Sequence, residues 1–444
     1  MFLILLVTFI FSIAYILYNY SSKLAEFWRV RRICEREFEK LNVVPSVPLF
    51  GSTWYFKRDK TEFGWQGMRF NQELAQAPDG CGVFGLWLGP VPNLIICRAE
   101  VAKIIFDSSE NISKSSMYKK FQEWLGEGLL MSTNEKWQAR RKMLTKTFHF
   151  AVLKQYQEVF CSQAMIFGDL LQFKANGFTY FDIMPYIKRC TLDIICQTAM
   201  GVNIQAQYDT RNRYVHAVKR LSELIYSYEM NPAYWLSPIW YLTGRKMEFD
   251  THLKLATGFT REVIERRNME YHSNIDKDDD RKLAFLDYLI QAQDEEKLTD
   301  EDIRDEVETF MFEGHDTTSS GINFAIWFLG QHPEYQKLVH EEMDEIFGDD
   351  YERHPTNEDL GRMKYLEQCI KETLRITPPV PFISRKLTED VHIPHPVHGT
   401  VLLPAGMAIM INIMAIMKDP RFYERPMEYY PAHFDPERQD QEIV

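Results

Sequence analysis

The pattern of apolar and polar positions changes character along the chain. Residues 1–20 are apolar apart from Thr8, Ser12 and Asn19. A helix of that length spans roughly 30 Å, the thickness of a bilayer core. No basic residue precedes the run and no small-residue cleavage site follows it, so it reads as a membrane anchor and not a cleaved signal. Lys23, Arg29, Arg31 and Arg32 follow it directly, and the positive-inside tendency then assigns the body of the protein to the cytosol. Residues 21–50 read as a basic linker, with Pro45 and Pro48 as a stiff hinge before Gly51.

Beyond the hinge, Val83–Pro90 and Val91–Cys97 have the short alternating pattern of a hairpin. From Ala99 to Gln331 the period is mainly helical, interrupted by an acid-rich loop at residues 272–281. Helical segments resume over 333–347 and 363–376, and Val391–Met410 reads as a second hairpin centred on His398-Gly399. With no repeats and no low-complexity linker, residues 51–444 form one mainly α domain with small β-sheets.

One predicted helix has an unusual centre. Thr299 offers a cap and His332-Pro333 a stop, giving a rod of roughly 45 Å. Phe310, Glu313, Gly314, Thr317 and Gly321 share one face, and that face is largely small or polar, so a flat, bulky group could lie along it. Thr317 and Thr318 can bond carbonyls one turn back and bend the helix. Farther on, Glu372 and Arg375 stand one helical turn apart. A stretch rich in proline and aromatics follows, from Asp419-Pro420 to Asp435-Pro436-Glu437-Arg438, and fits neither helix nor strand.

Composition narrows the classes. The net charge is −12 with no basic, aromatic-laced stripe, which argues against nucleic acid. Seven cysteines without paired spacing indicate a reducing compartment and no disulfide frame. His392, His395 and His398 lack the spacing of a metal-binding helix, so no metal site is assigned to them. A polytopic transporter is excluded because one apolar run alone is long enough to span.

Taken in order, these segments resemble the cytochrome P450 monooxygenases. Trp137 and Arg141 match the family's Trp-x-x-x-Arg pattern, and Phe148-His149-Phe150, Thr191–Cys196 and Phe312–Thr318 match further motifs of family 4, the animal microsomal branch, with insect members a close fit. The resemblance implies the P450 fold, haem b as cofactor, and hydroxylation of lipophilic substrates (fatty acids, related lipids or foreign compounds) with O2. Electrons would come from an NADPH-dependent flavoprotein reductase, with cytochrome b5 as a further partner, at the endoplasmic reticulum membrane. The helix carrying Lys136, Arg140 and Lys142 would contribute to the docking face, Arg140, Lys142 and Lys146 being read as surface positions.

The resemblance also assigns roles. Asp316 and Thr317 would deliver protons during oxygen activation; Trp137, Arg141 and Arg385 would bind haem propionates; Gly314 would face the haem, and Glu313 would form an ester with a haem methyl. Glu372, Arg375 and Arg438 would form a structural Glu-Arg-Arg network, although Gln439 replaces the phenylalanine expected after its last arginine. The chain ends at Val444, where the family's Phe-x-x-Gly-x-Arg-x-Cys-x-Gly loop would begin, and none of the seven cysteines lies in such a loop. The expectation is a truncated form without the axial thiolate and the helix that follows it. A catalytically dead, membrane-tethered protein with a binding or regulatory role is the alternative.

Overall fold

The structure is a computed structural model. It describes residues 21–438 except 58, 78–79, 149–153, 176, 274–283, 296 and 351–352. The anchor read at residues 1–20, the motif residues His149 and Phe150, most of the acidic loop and Gln439 lie outside the described residues. Among the described residues no helix is long and apolar enough to cross a membrane.

Residues 21–37 are helical (α1). Then come α2 (Lys60–Phe70), β1 (Val83–Leu88), β2 (Val91–Ile96), α3 (Ala99–Phe106), α4 (Lys119–Leu125), α5 (Asn134–Thr145), α6 (Gln157–Lys174) and α7 (Met184–Thr198). The middle of the chain forms α8 (Arg213–Met230), α9 (Ser237–Leu242), α10 (Arg245–Ser273), α11 (Phe285–Asp294), α12 (Asp300–Gln331) and α13 (Pro333–Phe347). The last part holds α14 (Asn357–Arg362), α15 (Lys364–Ile376), β3 (Phe382–Lys386), β4 (Val391–His395), β5 (Gly399–Leu403), β6 (Ala408–Asn412) and α16 (Ile413–Ile416).

The chain divides into two compact units, where the sequence suggests one domain. The first takes residues up to Met117 together with Phe382–Ile416. Its main sheet has the order β1-β2-β6-β3. β1 and β2 form the expected hairpin, whereas the second expected hairpin is only β4 with β5. β6 leaves it to run parallel to β2 and antiparallel to β3, because its alternate residues Ile409 and Ile411 are wholly buried among Leu94, Ile96 and Ile393. The basic stretch after residue 20 is no free linker: Val30, Cys34 and Phe38 belong to this core, and Val44 N–H bonds to the Gly85 carbonyl at 2.9 Å. His395 closes the β4–β5 turn, its Nδ1 accepting from the N–H groups of Val397 and His398, while His392 and His398 are exposed.

The second unit takes Tyr118–Pro381 and the residues from Met417 onward. Its axis is α12, and both predicted ends hold. The Thr299 hydroxyl accepts from Asp302 N–H at 3.2 Å while the Asp302 carboxylate reaches back to Thr299 N–H, a capping box, and the helix stops at His332 before Pro333. Around it Leu192, Cys196, Leu221, Phe249, Ile303, Val307 and Met311 form one apolar cluster.

The first half of α12 carries acids into this core, each with a stated partner. Asp305 accepts from Glu127 N–H at 2.6 Å, Glu306 from Leu129 N–H at 2.9 Å and Glu308 from the Trp124 indole at 2.6 Å. Arg140, read from sequence as a surface cation, is buried and pairs with Asp302 at 2.5 Å. Burial pushes the Asp302 carboxyl up, but bonds from Thr299 and the charges of Arg140 and Lys136 outweigh it and hold the group at about 2.

Two predictions follow from this packing. Gly126 has φ +57°, and a Cβ there would lie 2.1 and 2.2 Å from the two Asp305 carboxylate oxygens, the second of which accepts from Glu127 N–H and cannot withdraw without dropping that donor. Gly126→Ala is therefore expected to lower stability by about 2 kcal/mol or more in urea titration. Burial pushes the Glu306 carboxyl up to about 7, more than Leu129 N–H and Arg140 pull it down. Because the folded value lies above the unfolded one, its stabilising share is complete below pH 4.5 and is lost as pH rises to about 7. Glu306→Gln should flatten the fall of the thermal midpoint over that window.

Candidate active site

Along the second half of α12, one strip differs from the rest. Met311, His315 and Ser319 are buried on the inner side, whereas Glu313, Thr317 and Ser320 are half-buried and Phe324 is exposed. The strip keeps partial exposure. Phe310, assigned to it from sequence, turns instead into an aromatic stack with Phe148 and Phe285, at ring distances of 5.3 and 4.4 Å. Gly314 turns toward α7: an added Cβ would lie 2.7 Å from the Ile195 side chain. Its missing side chain lets two helices approach, which is a packing role in place of the expected haem-facing one. Gly321 likewise lies beside Leu374 of α15.

The Thr317 hydroxyl donates to the Glu313 carbonyl at 2.7 Å, and Ser319 and Ser320 donate to the Asp316 carbonyl at 2.9 Å each. Of these, the Thr317 bond is the one expected from sequence; Thr318, also expected, is exposed, and Ser319 and Ser320 supply the others. The Asp316 carboxylate is held by Lys188 of α7 at 2.6 Å, a partner that sequence did not indicate. His315, between them, is wholly buried; its Nδ1 faces the Met311 carbonyl at 3.1 Å, and burial pushes it down to about 4. It is a neutral core histidine and takes no part in the strip.

On α5, Trp137 is half-buried and Arg141 is exposed one turn later. Arg141 makes no ion pair with the described residues, in contrast to Arg140. With Arg140 buried and Lys136 bonded to Glu127 at 2.7 Å, the basic docking face expected of this helix reduces to Lys142. Arg385 belongs to the first unit, on β3 opposite Ile409, and donates to the Ser384 carbonyl at 2.9 Å.

The Glu372–Arg375 pair is completely buried and bidentate, at 2.7 and 2.8 Å. Arg375 spends its remaining donors on the carbonyls of Met417, Pro426 and Glu428, so a guanidinium stitches the meander to α15. The third member is a correction: His433, not Arg438, meets Glu372, with Nδ1 3.2 Å from both carboxylate oxygens. Arg438 is exposed and pairs with Glu424 at 2.7 Å. Phe434 directly follows His433, so the motif's phenylalanine is present, in an earlier register.

The comparisons agree with this geometry. The family model described as Cytochrome P450 matches residues 45–443. The chain belongs to the cytochrome P450 family. Cytochrome P450 4V2 of Homo sapiens is 41% identical over 90% of this chain and 77% of its own length. Cytochrome P450 4c3 of Drosophila melanogaster is 40% identical over 80% and 68%, and Cytochrome P450 4c21 of Blattella germanica 33% over 91% and 80%. The chain is thus a family 4-like P450, a monooxygenase by family, mainly helical with small sheets.

P450 membership implies haem. The chain offers a half-buried, largely polar helix strip and, on α5, a guanidinium uncommitted to any described carboxylate, both of which suit a flat group with propionates. Its thiols are otherwise disposed. Every one of the seven cysteines is buried, and burial pushes all of them up, Cys369 to about 11 and Cys34 and Cys190 to about 12. None of them is poised as a thiolate.

The Glu-Arg-His network gives a sharp test. Glu372→Gln leaves Arg375 buried without its counter-charge and should cost about 3–5 kcal/mol. His433→Ala should also lower the urea midpoint, while Arg438→Ala should leave it unchanged.

Proposed function

We propose that the protein is a haem-dependent monooxygenase that hydroxylates lipophilic substrates, with fatty acids or related long-chain lipids foremost. The observation that carries this is the half-buried Glu313–Thr317 strip with Asp316 tethered to Lys188, in a chain of P450 membership. Bound haem would supply oxygen activation; the chain's own residues supply position, dryness and protons. Trp137 and Arg141 would hold one propionate, through an indole N–H and a guanidinium on the same helical turn. Arg385 is assigned the second propionate from its place in the sequence motif. None of the seven cysteines described above is proposed as the iron ligand.

Asp316 and Thr317 move protons. The Thr317 hydroxyl can order a water beside the strip, and Lys188 fixes the Asp316 carboxylate where it can exchange protons with that water. Glu313, half-buried on α12, would form an ester with a haem methyl, a two-electron oxidation of that methyl C–H with loss of the carboxyl proton, for which O2 and the reductase's electrons would supply the oxidant. Residues 1–20 are proposed as the anchor in the endoplasmic reticulum membrane, with the remainder facing the cytosol. An NADPH-dependent flavoprotein reductase, and cytochrome b5, are proposed as electron donors.

The protein, reconstituted with reductase and a long-chain fatty acid, should give a shifted Soret band with carbon monoxide and a hydroxylated product. Thr317→Ala should lower product formation about a hundredfold, with NADPH consumption falling less. Lys188→Met should lower product formed per NADPH. Glu313→Ala should release into acidified organic solvent haem that the unmodified chain retains. Absence of the Soret band overturns the reading.

A further inference from the structure

Lys120, on α4, is buried although it is a lysine. Its ammonium lies 4.8 Å from the ring centre of Tyr228, 5.6 Å from that of Trp240 and 5.5 Å from that of Phe249. It also bonds the Glu123 carboxylate of its own helix at 2.6 Å. The three rings come from α8, α9 and α10. Trp240 is further packed edge-on by Tyr228 and Tyr234, at 5.2 and 5.5 Å. One charge thus joins α4 to three other helices.

The segment joining α8 to α10, residues 231–244, is also held by the Trp235 indole, which donates to the Tyr228 carbonyl at 3.0 Å, and by half-buried Tyr234, packed against the core. Among its described positions Trp240 is the buried side chain, while Leu236, Tyr241 and Leu242 are exposed. It ends at Gly244, with φ +74° and open space where a Cβ would point. On its other side α4 leans on the site helix: Phe121 and Trp124 lie 6.1 and 4.6 Å from Phe312, the residue before Glu313.

We infer that Lys120 is a latch: its ammonium, seated between the rings of Tyr228, Trp240 and Phe249, holds residues 231–244 against α4 and thereby positions α4 on the Phe312–Glu313 turn. A cation over aromatic faces is favoured most where water is excluded, and here the same cation is also neutralised by Glu123. Removing the charge takes away the cation shared by the three rings and leaves the segment its ring contacts and the Trp235 bond. Lys120 is a positioning residue. The latch deepens the oxygenase reading by naming what sets one wall of that site, but it does not depend on that reading.

Amide hydrogen exchange on the full chain tests it. Lys120→Met should speed exchange about tenfold in peptides covering 231–244 and 119–125, with residues 364–376 unchanged. Lys120→Arg, which keeps a cation over the rings, should exchange as the unmodified chain does. Unchanged exchange in a folded Lys120→Met protein overturns the latch. Should that variant lose protection everywhere, Trp240→Leu opens the same segment from its other side, and unchanged exchange of α4 there overturns it equally. The readout needs neither haem nor substrate, so loosening of the segment in a protein without the Soret band would sustain the latch while the oxygenase reading falls.

Discussion

Carboxylates on the first half of one buried helix must each find a donor, and much of the second unit is arranged to supply them. Asp302, Asp305, Glu306 and Glu308 enter a core lined by aliphatic and aromatic side chains, where an unpaired carboxylate would cost several kcal/mol. The loop ahead of α5 bends so that the N–H groups of Glu127 and Leu129 point at α12. That bend requires a positive φ at Gly126. Arg140 turns inward for the same reason, and the Trp124 indole is drawn to Glu308. The helix is held by polar bonds along its first half, while its second half packs on α7 and α15 and carries the half-buried Glu313–Thr317 strip.

The lower end of the unit uses the same principle with a single cluster. Glu372 is acceptor-only, and Arg375 and His433 approach it with donors, while the Tyr430 N–H adds a bond of 2.8 Å. The meander has no regular ladder of its own; its backbone carbonyls are satisfied by the guanidinium. An irregular chain can stay ordered in this way because one side chain takes over the hydrogen bonds that a strand would have made.

Local chemistry was legible in the sequence and distant pairing was not. The ends of α12 follow from Thr299 and His332-Pro333, and the β1–β2 hairpin from its alternation, because each is decided within a few residues. β6 could not be placed by reading along the chain, since its neighbours β2 and β3 are chosen by where Ile409 and Ile411 can be buried. Arg140 looked like any surface cation of a polar helix; its partners Asp302 and Glu306 are remote in sequence. Lys188 was passed over for the same reason. The choice between Arg438 and His433 turned on register: two Pro-x-basic steps follow one another, and only geometry shows that the imidazole is the one facing Glu372. Gly314 was read for space toward a ligand, yet the space it creates is taken by Ile195.

The buried thiols have a practical consequence. A cysteine reacts through its thiolate, and none of those carried by this chain is both reachable and inclined to ionise. The folded molecule should therefore stay silent toward maleimides and iodoacetamide. A cysteine introduced on its surface would be the preferred site for a dye or spin label, with no need to replace the native ones, and slow labelling of the natural set would count how often the chain comes apart.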